Sequence, residues 1–340
     1  MLARASRVFL NLARISIGVV LLYFVVSRTQ GFRSIGDLLS RVTVWMALAA
    51  CFLVGTFVEA QRITVLLRAQ GFQLPFPRAC RVVMIAIFFG LVIPGGTGGD
   101  LIKFYYLAGD QKGRRLEVAT SVLLDRAAGL YSLLFVVTVL ALCNPTLLAT
   151  VAVVRLLVVL AGLGVVGFAA LALVSTSQRL RGSRLFSFVT TRMPFHAYAR
   201  RFADTLHVFR ARPRAVFGAI LLSLAGYAVT CLVFLVVGRV AIPQASLQEV
   251  LLLGLLGMLA NVLPVTPGGL GVGEAAAAAL FRLAGYHGGA SLILVWRAGM
   301  MVVALLGGLL YLLGPARVRL LSEEGPGAVA LNNSLGREPE

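Results

Sequence analysis

Apolar residues run along this chain in segments of two lengths, and the difference between them predicts its architecture. Six segments hold enough apolar residues to cross a hydrocarbon core of roughly 30 Å, which takes about 20 helical residues. They cover about 8–27, 43–66, 118–142, 149–175, 214–238 and 289–313. Most polar and charged residues fall between these segments. We therefore expect an all-α polytopic membrane protein with six full spans.

Two further apolar segments are too short to cross. Only 12 residues separate Arg81 from Pro94, and only 14 separate Glu249 from Pro264. At 1.5 Å per residue, these lengths give about 18 and 21 Å of helix. Each segment is followed by a glycine-rich stretch and then by a second short apolar piece. This order predicts two re-entrant helical hairpins, which a looser count would treat as full spans of an eight-helix protein.

The two glycine-rich stretches resemble each other, and each is followed by an arginine inside a segment that could span a membrane. The first glycine motif is Pro94-Gly95-Gly96-Thr97-Gly98-Gly99-Asp100, and the second glycine motif is Pro267-Gly268-Gly269-Leu270-Gly271-Val272-Gly273-Glu274. The arginines that follow are Arg126 and Arg297. Two similarities in the same order indicate a duplicated unit. A discontinuous helix in each of two halves is the sequence pattern of a transporter-type binding site.

Basic residues indicate how the spans are oriented. The loop at 177–213 contains eight arginines, and the positive-inside rule places such a loop in the cytoplasm. Counting spans from this loop puts both termini in the cytoplasm. It groups Lys103 with the cytoplasmic charges and leaves Arg28, Arg33 and Arg41 outside as exceptions.

With this orientation, the first hairpin enters from the cytoplasm and the second from outside. The halves, at about 43–142 and 214–313, would then be inverted repeats. We expect one membrane domain at 1–315, followed by a disordered cytoplasmic tail at 316–340. The expected location is the inner cell membrane, with several passes.

Composition argues against several other classes of protein. The net charge of +18 comes from loops beside spans, where topology selects for Lys and Arg, so it gives no reason to expect nucleic-acid binding. The four cysteines form no C-x-x-C pair, and the three histidines have no ligand spacing, so neither a disulfide framework nor a metal site is indicated. The first glycine motif lacks the Lys-Ser or Lys-Thr of a nucleotide-binding loop. We expect no cofactor.

Unwound backbone at membrane depth is tolerated only where protein or a water-filled cavity satisfies its polar groups. The glycine motifs are therefore expected to line a cavity. The helix start after each motif offers free N–H groups and a partial positive charge, which suit an anionic group such as phosphate. Alternatively, the glycines only make a tight turn between helices. The candidate binding residues of the two motifs are Pro94, Gly95, Gly96, Thr97, Gly98, Gly99, Pro267, Gly268, Gly269 and Gly271.

Two carboxylates, Asp100 and Glu274, end the two motifs and belong to the candidate site. Each begins a short helix, where a carboxylate can simply cap free N–H groups. A capping carboxylate would weaken the local attraction for an anion, so that phosphate binding would depend more on arginine. Alternatively, the carboxylates meet a cationic part of the substrate or control the cavity by pairing with arginine.

Charged residues inside the spans complete the candidate site. Arg126, beside Asp125, and Arg297 lie within about ten residues of the nearest expected helix end, where a long side chain can reach toward the interface. A charge at the bilayer centre costs on the order of 2.5 to 3.5 kcal/mol, so such residues persist mostly where they are paired or useful. Glu59 and Arg62 are three residues apart and can pair on one helix face.

The two glycine motifs and Asp125-Arg126-Ala127-Ala128-Gly129, in this order and spacing, resemble the transmembrane region of lysylphosphatidylglycerol synthases. This flippase-like family includes the membrane half of the multiple peptide resistance factor, and the similarity covers about residues 8–315. The resemblance implies a domain that moves a lipid, in the best-known members an aminoacylated phosphatidylglycerol, to the outer leaflet. The chain ends about 25 residues after its last span, so we expect no soluble aminoacyl-transfer domain and no lipid synthesis. Another phospholipid, a polyprenyl-linked sugar or a hopanoid-type lipid stays open as cargo.

Three functions fit these observations. The first is a lipid flippase using alternating access, in which both hairpins meet and Arg126 and Arg297 hold a phosphate. The second is an integral-membrane transferase with Asp100 or Glu274 as general base, and the third is a non-catalytic scaffold that recruits a partner through the loop at 177–213. The expected partners are anionic or zwitterionic membrane phospholipids and a separate lipid-modifying enzyme.

Overall fold

The computed structural model describes residues 42–93, 98–109, 114–176, 212–263, 266–313 and 321–322. The helices in these ranges are α1 (Val42–Ala69), α2 (Phe76–Val92), α3 (Gly98–Ala108), α4 (Arg115–Leu142), α5 (Pro145–Thr150), α6 (Ala152–Thr176), α7 (Pro213–Ala241), α8 (Leu247–Leu259), α9 (Val272–Leu283) and α10 (Ala290–Leu312). Single 3₁₀ turns occupy Ala260–Val262 and Pro267–Gly269. Strands β1 (Phe72–Gln73) and β2 (Leu321–Ser322) pair antiparallel, with Phe72 opposite Ser322.

Five helices in the described ranges are long and apolar enough to cross a membrane. They are α1 over Leu48–Ala69, α4, α6 over Ala152–Ala170, α7 and α10. The prediction of an all-α, multi-pass membrane protein is confirmed, and these helices match five of the six expected spans.

Several predicted features lie outside the described residues. These are the span at 8–27, the loop at 177–211, nearly all of the tail, and Pro94, Gly95, Gly96 and Thr97 of the first glycine motif. The orientation of the termini stays a prediction.

The outer surface of α6 shows why a bilayer suits this fold. Leu156, Leu160, Leu163 and Val166 are each more than half exposed, although the helix packs along α4 on its other side. A soluble protein rarely exposes so large an apolar patch. Lipid chains contact such a surface without the cost that water would impose.

Helices α2 and α3 form an antiparallel pair around the first glycine motif. A Cβ atom at Gly99 would lie 2.8 Å from the carbonyl oxygen of Ala86, so only glycine lets the start of α3 lie directly against α2. At the opposite end, Ala79 and Leu107 belong to one buried core. The chain thus turns back along itself, and its re-entrant position in a bilayer stays a prediction.

Helices α8 and α9 form the corresponding pair around the second glycine motif. Helix α8 begins with a capping box, in which Ser246 and Glu249 exchange side-chain and backbone hydrogen bonds. The Tyr286 hydroxyl, just beyond α9, donates to Glu249 Oε2 over 3.0 Å. Near the motif, a Cβ atom at Gly257 would lie 2.7 Å from that of Ala277. The two helices therefore lie side by side and antiparallel.

The two halves pack in reciprocal ways. Helices α1 to α4 correspond in order to α7 to α10. In each half, the paired short helices contact each other, and the second of them packs on the last helix of that half. Between the halves, α1 packs along α7, α2 along α10, and α8 against α4. Duplicated halves related by a two-fold axis would pack in this way.

Candidate functional site

The second glycine motif lies against the end of α2, close to the described part of the first motif. A Cβ atom at Gly268 would lie 3.0 Å from the Leu91 side chain and 3.6 Å from the carbonyl oxygen of Gly90. Gly90, Gly99 and Gly268 border one cavity of about 250 Å³. The described residues of both motifs thus lie beside a cavity, and the binding of a substrate there stays a prediction.

The second glycine motif owes its shape to left-handed glycines. Gly268, Gly269 and Gly271 have φ angles of 57°, 69° and 79°, which residues with a Cβ atom rarely adopt. The Thr266 hydroxyl donates to the carbonyl oxygen of Leu270 over 2.8 Å. The tight turn between helices is therefore real, and it coexists with the neighbouring cavity.

Arg297 and Glu274 form a fully buried ion pair beneath this turn. Arg297 Nε lies 2.5 Å from Glu274 Oε1, and Nη2 lies 3.2 Å from Oε2. Nη1 donates to the carbonyl of Gly268 over 2.7 Å, and Nη2 donates to that of Gly269 over 3.0 Å. The exposed fractions of the two side chains are only 5% and 0%. Each guanidinium nitrogen is thus committed within the protein, and substrate binding by this pair stays a prediction.

The corresponding ion pair of the first half, Arg126 with Asp100, is partly exposed, and we call it the open pair. Arg126 Nη1 lies 2.8 Å from Asp100 Oδ2, and the two side chains are 42% and 22% exposed. Both border the cavity at the centre. Asp100 therefore pairs with an arginine in this structure.

A second group of charges lies deeper, on α1, α3, α4 and α7. We call Glu59, Arg62, Lys103, Asp125 and Ser223 the central network. Lys103 Nζ contacts Glu59 Oε1 and lies 3.1 Å from Asp125 Oδ2. Arg62 Nε lies 2.5 Å from Asp125 Oδ1, and Arg62 Nη1 donates to the Ser223 hydroxyl over 2.9 Å. The Asp125 side chain is only 1% exposed, so its charge depends on these two cations.

A cavity of about 380 Å³ borders the central network, and both charged and apolar side chains line it. The charged lining combines the central network with the open pair, which gives three carboxylates against three basic groups and no net charge. The rest of the lining is largely apolar and comes from α1, α4, α7, α8 and α10. Its lining includes Phe52, Leu130, Val233, Met258, Trp296 and Met300.

The structure shows where three single charges lie. Lys103, which was grouped with the cytoplasmic charges, is buried inside α3, because the helix continues from Gly98 to Ala108. The spacing of Glu59 and Arg62 would allow them to pair with each other, whereas each pairs with a residue of another helix. The signal for Lys103 was a lysine one turn beyond Asp100 in an otherwise apolar piece. No sequence signal marked the hydroxyl of Ser223.

The described residues contain no cluster of three or more His, Cys, Asp and Glu side chains arranged to hold a metal ion. All four cysteines are free thiols, at positions 51, 80, 143 and 231. Near the cavity, charged side chains, hydroxyls and backbone carbonyls form ion pairs and hydrogen bonds.

Comparison with known proteins identifies a family. The family model described as "Lysylphosphatidylglycerol synthase TM region" matches residues 11–318, close to the range over which the motifs suggested that family. No curated protein and no solved structure matches the chain. The match covers most of the chain. The protein therefore belongs to the lysylphosphatidylglycerol synthase transmembrane-region family, and it is a membrane protein related to lipid modification or transport.

Proposed function

We propose that this protein is a lipid transporter that moves a phospholipid or a lipid-linked head group between leaflets by alternating access. One observation carries the proposal: residues of both glycine motifs border a cavity lined by charged and by apolar side chains, and this cavity adjoins the larger one at the central network, among helices suited to a membrane. A lipid entering these adjoining cavities can place its head group against the charged side chains and its glycerol and first methylenes against the apolar ones. Discontinuous helices that meet at a cavity are a recurrent arrangement in transporters.

Arg126 is the group best placed to bind a phosphate. It is 42% exposed, whereas Arg62 and Lys103 are 13% and 6% exposed and both already engage the buried Asp125. A guanidinium binds phosphate through paired hydrogen bonds. The start of α3, beside Asp100, adds free backbone N–H groups to the same region.

The other accessible charges favour a head group that also carries an amine. Asp100 and Glu59 are 22% and 28% exposed and border the same cavity as Arg126. A head group with several phosphates would place negative charge beside both carboxylates, with one accessible cation to offset it. A phosphate joined to an ammonium group matches the charged lining better, so we place a zwitterionic phospholipid ahead of a polyanionic lipid.

The helix pairs α2–α3 and α8–α9 would serve as the re-entrant hairpins of inverted halves. Their length supports this assignment, because none of the four helices exceeds 17 residues and about 20 are needed to cross. Rocking of one half against the other would then expose the cavity first to one leaflet and then to the other.

Transport by purified protein in liposomes tests the proposal. Fluorescent lipids with zwitterionic or anionic head groups are placed in one leaflet, and their movement is followed by quenching. Arg126→Ala should slow movement at least about tenfold, the effect of losing one good charged hydrogen bond, while Arg126→Lys should retain part of the rate. Arg282→Ala removes an exposed arginine of α9 and serves as the matched control.

Two results would contradict the assignment. Lipid movement equal to that of protein-free liposomes would argue against transport, and equal rates for Arg126→Ala and wild type would argue against the site. Mass spectrometry of the same lipids after incubation with candidate donors distinguishes the transferase alternative, because only a transferase would yield a lipid of new mass.

A further inference from the structure

The central network is a cation site whose occupant is part of the chain. The carboxylates of Glu59 and Asp125 both contact the ammonium group of Lys103. Arg62 supplies the second cation and is held by Asp125 and Ser223. Two carboxylates and two basic groups give no net charge.

The second half shows that a hairpin can be built without these charges. Lys103 follows Asp100 by three positions, and the residue three positions after Glu274 is Ala277. Likewise, Asp125 precedes Arg126, whereas Trp296 precedes Arg297. Helices α9 and α10 nevertheless pack together as α3 and α4 do. The network therefore serves a purpose beyond forming the helix pair.

That purpose follows from the cost of charge inside a membrane. A transporter has to change conformation with its site empty, and uncompensated carboxylates would then have to be neutralised by an ion from solution. We propose that Lys103 is a tethered cation that fills this site permanently, so that the protein completes its cycle without binding a proton or a metal cation. The claim about the transport cycle rests on the proposed transport function, whereas the claim that Lys103 fills a cation site does not.

The groups that face the network are few. Beyond its own members, the charged or titratable side chains at the cavity are Cys51 on α1, Asp100 on α3, Arg126 on α4 and Tyr227 on α7. Asp100 and Arg126 already pair with each other, and α10 contributes the uncharged Trp296 and Met300. No other carboxylate borders the cavity within the described ranges, so removal of the ammonium leaves Glu59 and Asp125 as the groups in need of a cation.

Four variants separate the role of the charge from that of the shape. Lys103→Gln removes the tethered cation and leaves the network with one excess negative charge. Lys103→Arg keeps the charge, and the double variant Glu59→Gln with Lys103→Gln restores neutrality without any ammonium. Arg282→Gln, at an exposed position of α9, removes a positive charge far from the network.

The first measurement is the thermal stability of purified protein in detergent, which requires no substrate. The midpoint temperatures of thermal unfolding are compared in sodium chloride and in the chloride of a bulky organic cation, at pH 6 and at pH 8. Relative to wild type, Lys103→Gln should be stabilised by sodium or by the lower pH, because only its folded form offers an unfilled cation site. Lys103→Arg, the double variant and Arg282→Gln should show the wild-type response.

The second measurement is lipid movement in liposomes. Wild-type rates should change less than about twofold with sodium or between pH 6 and pH 8, since no titrating group is required. Lys103→Gln should instead need the ion, with a rate that falls by up to about tenfold per pH unit if one proton is taken up. The double variant should again be insensitive to both.

Wild-type movement that requires sodium or a proton would overturn the proposal, and so would a Lys103→Gln protein whose stability and rate respond to ions as wild type does. If Lys103→Gln fails to fold, the folding of the double variant becomes the test. A double variant that also fails to fold would show that the fold needs the ammonium group itself and not only neutrality, which contradicts the proposal. If no variant moves any lipid while the stability results hold, the transport function fails and the tethered cation site remains.

Discussion

The two homologous ion pairs should differ sharply in what they contribute to stability. Arg297→Met keeps most of the apolar stem of the side chain but leaves Glu274, which is 0% exposed, without a cation. Breaking a buried pair in this way costs about 3 to 5 kcal/mol, and the carbonyls of Gly268 and Gly269 lose their donors as well. Arg126→Met breaks a pair that is 42% and 22% exposed, for which about 0 to 1 kcal/mol is expected.

Equilibrium unfolding in mixed detergent micelles measures this difference. We expect Arg297→Met to lower the free energy of unfolding by about 3 kcal/mol more than Arg126→Met does. The double variant Glu274→Gln with Arg297→Met should recover part of the loss, because it leaves no buried lone charge. Equal losses for the two arginines would refute the reasoning, since the difference in burial would then have no energetic consequence.

Two further predictions concern a helix start and a helix contact. Burial alone would raise the pKa of the Glu249 carboxyl, but hydrogen bonds from Ser246 and Tyr286 outweigh it and lower the pKa. Wild type should therefore be more stable than Glu249→Gln at pH 7. Unfolding measured down to pH 3 should show this advantage disappearing below about pH 4, where the carboxylate takes up a proton. Gly307 packs directly on the backbone of Met84, so Gly307→Leu should cost about 1 to 3 kcal/mol or more. At Gly167 a Cβ atom would meet nothing within 4 Å, so Gly167→Leu should stay within about 0.5 kcal/mol of wild type in the same unfolding assay. Equal losses of stability for Gly307→Leu and Gly167→Leu would contradict the packing argument.

The architecture was largely predictable because it depends on local properties. The length of each apolar segment separates the long helices from the short ones, and this separation holds for α2 and α8 as well as for α4 and α10. Glycine in the two motifs marks where helices stop and lie against each other. Both signals act over a few residues and need no knowledge of distant contacts.

The pairing of charges was not predictable for the opposite reason. Lys103 meets Glu59 across 44 positions, and Arg62 meets Ser223 across 161. These contacts exist only once α1, α3, α4 and α7 have packed together. The same holds for the difference between Arg126 and Arg297, which similar motifs made look alike. Sequence located these residues, but packing decided which pair is buried and which is accessible.

The charged members of the central network all lie in one half, and this has a consequence for how such proteins diversify. Cargo preference and ion dependence would be adjustable through positions 59, 62, 103 and 125, while Glu274 and Arg297 maintain the turn on the other side. Relatives that carry different lipids would accordingly vary at the former positions and share the latter. A fold of two similar halves would in this way let one half specialise while the other preserves the common framework.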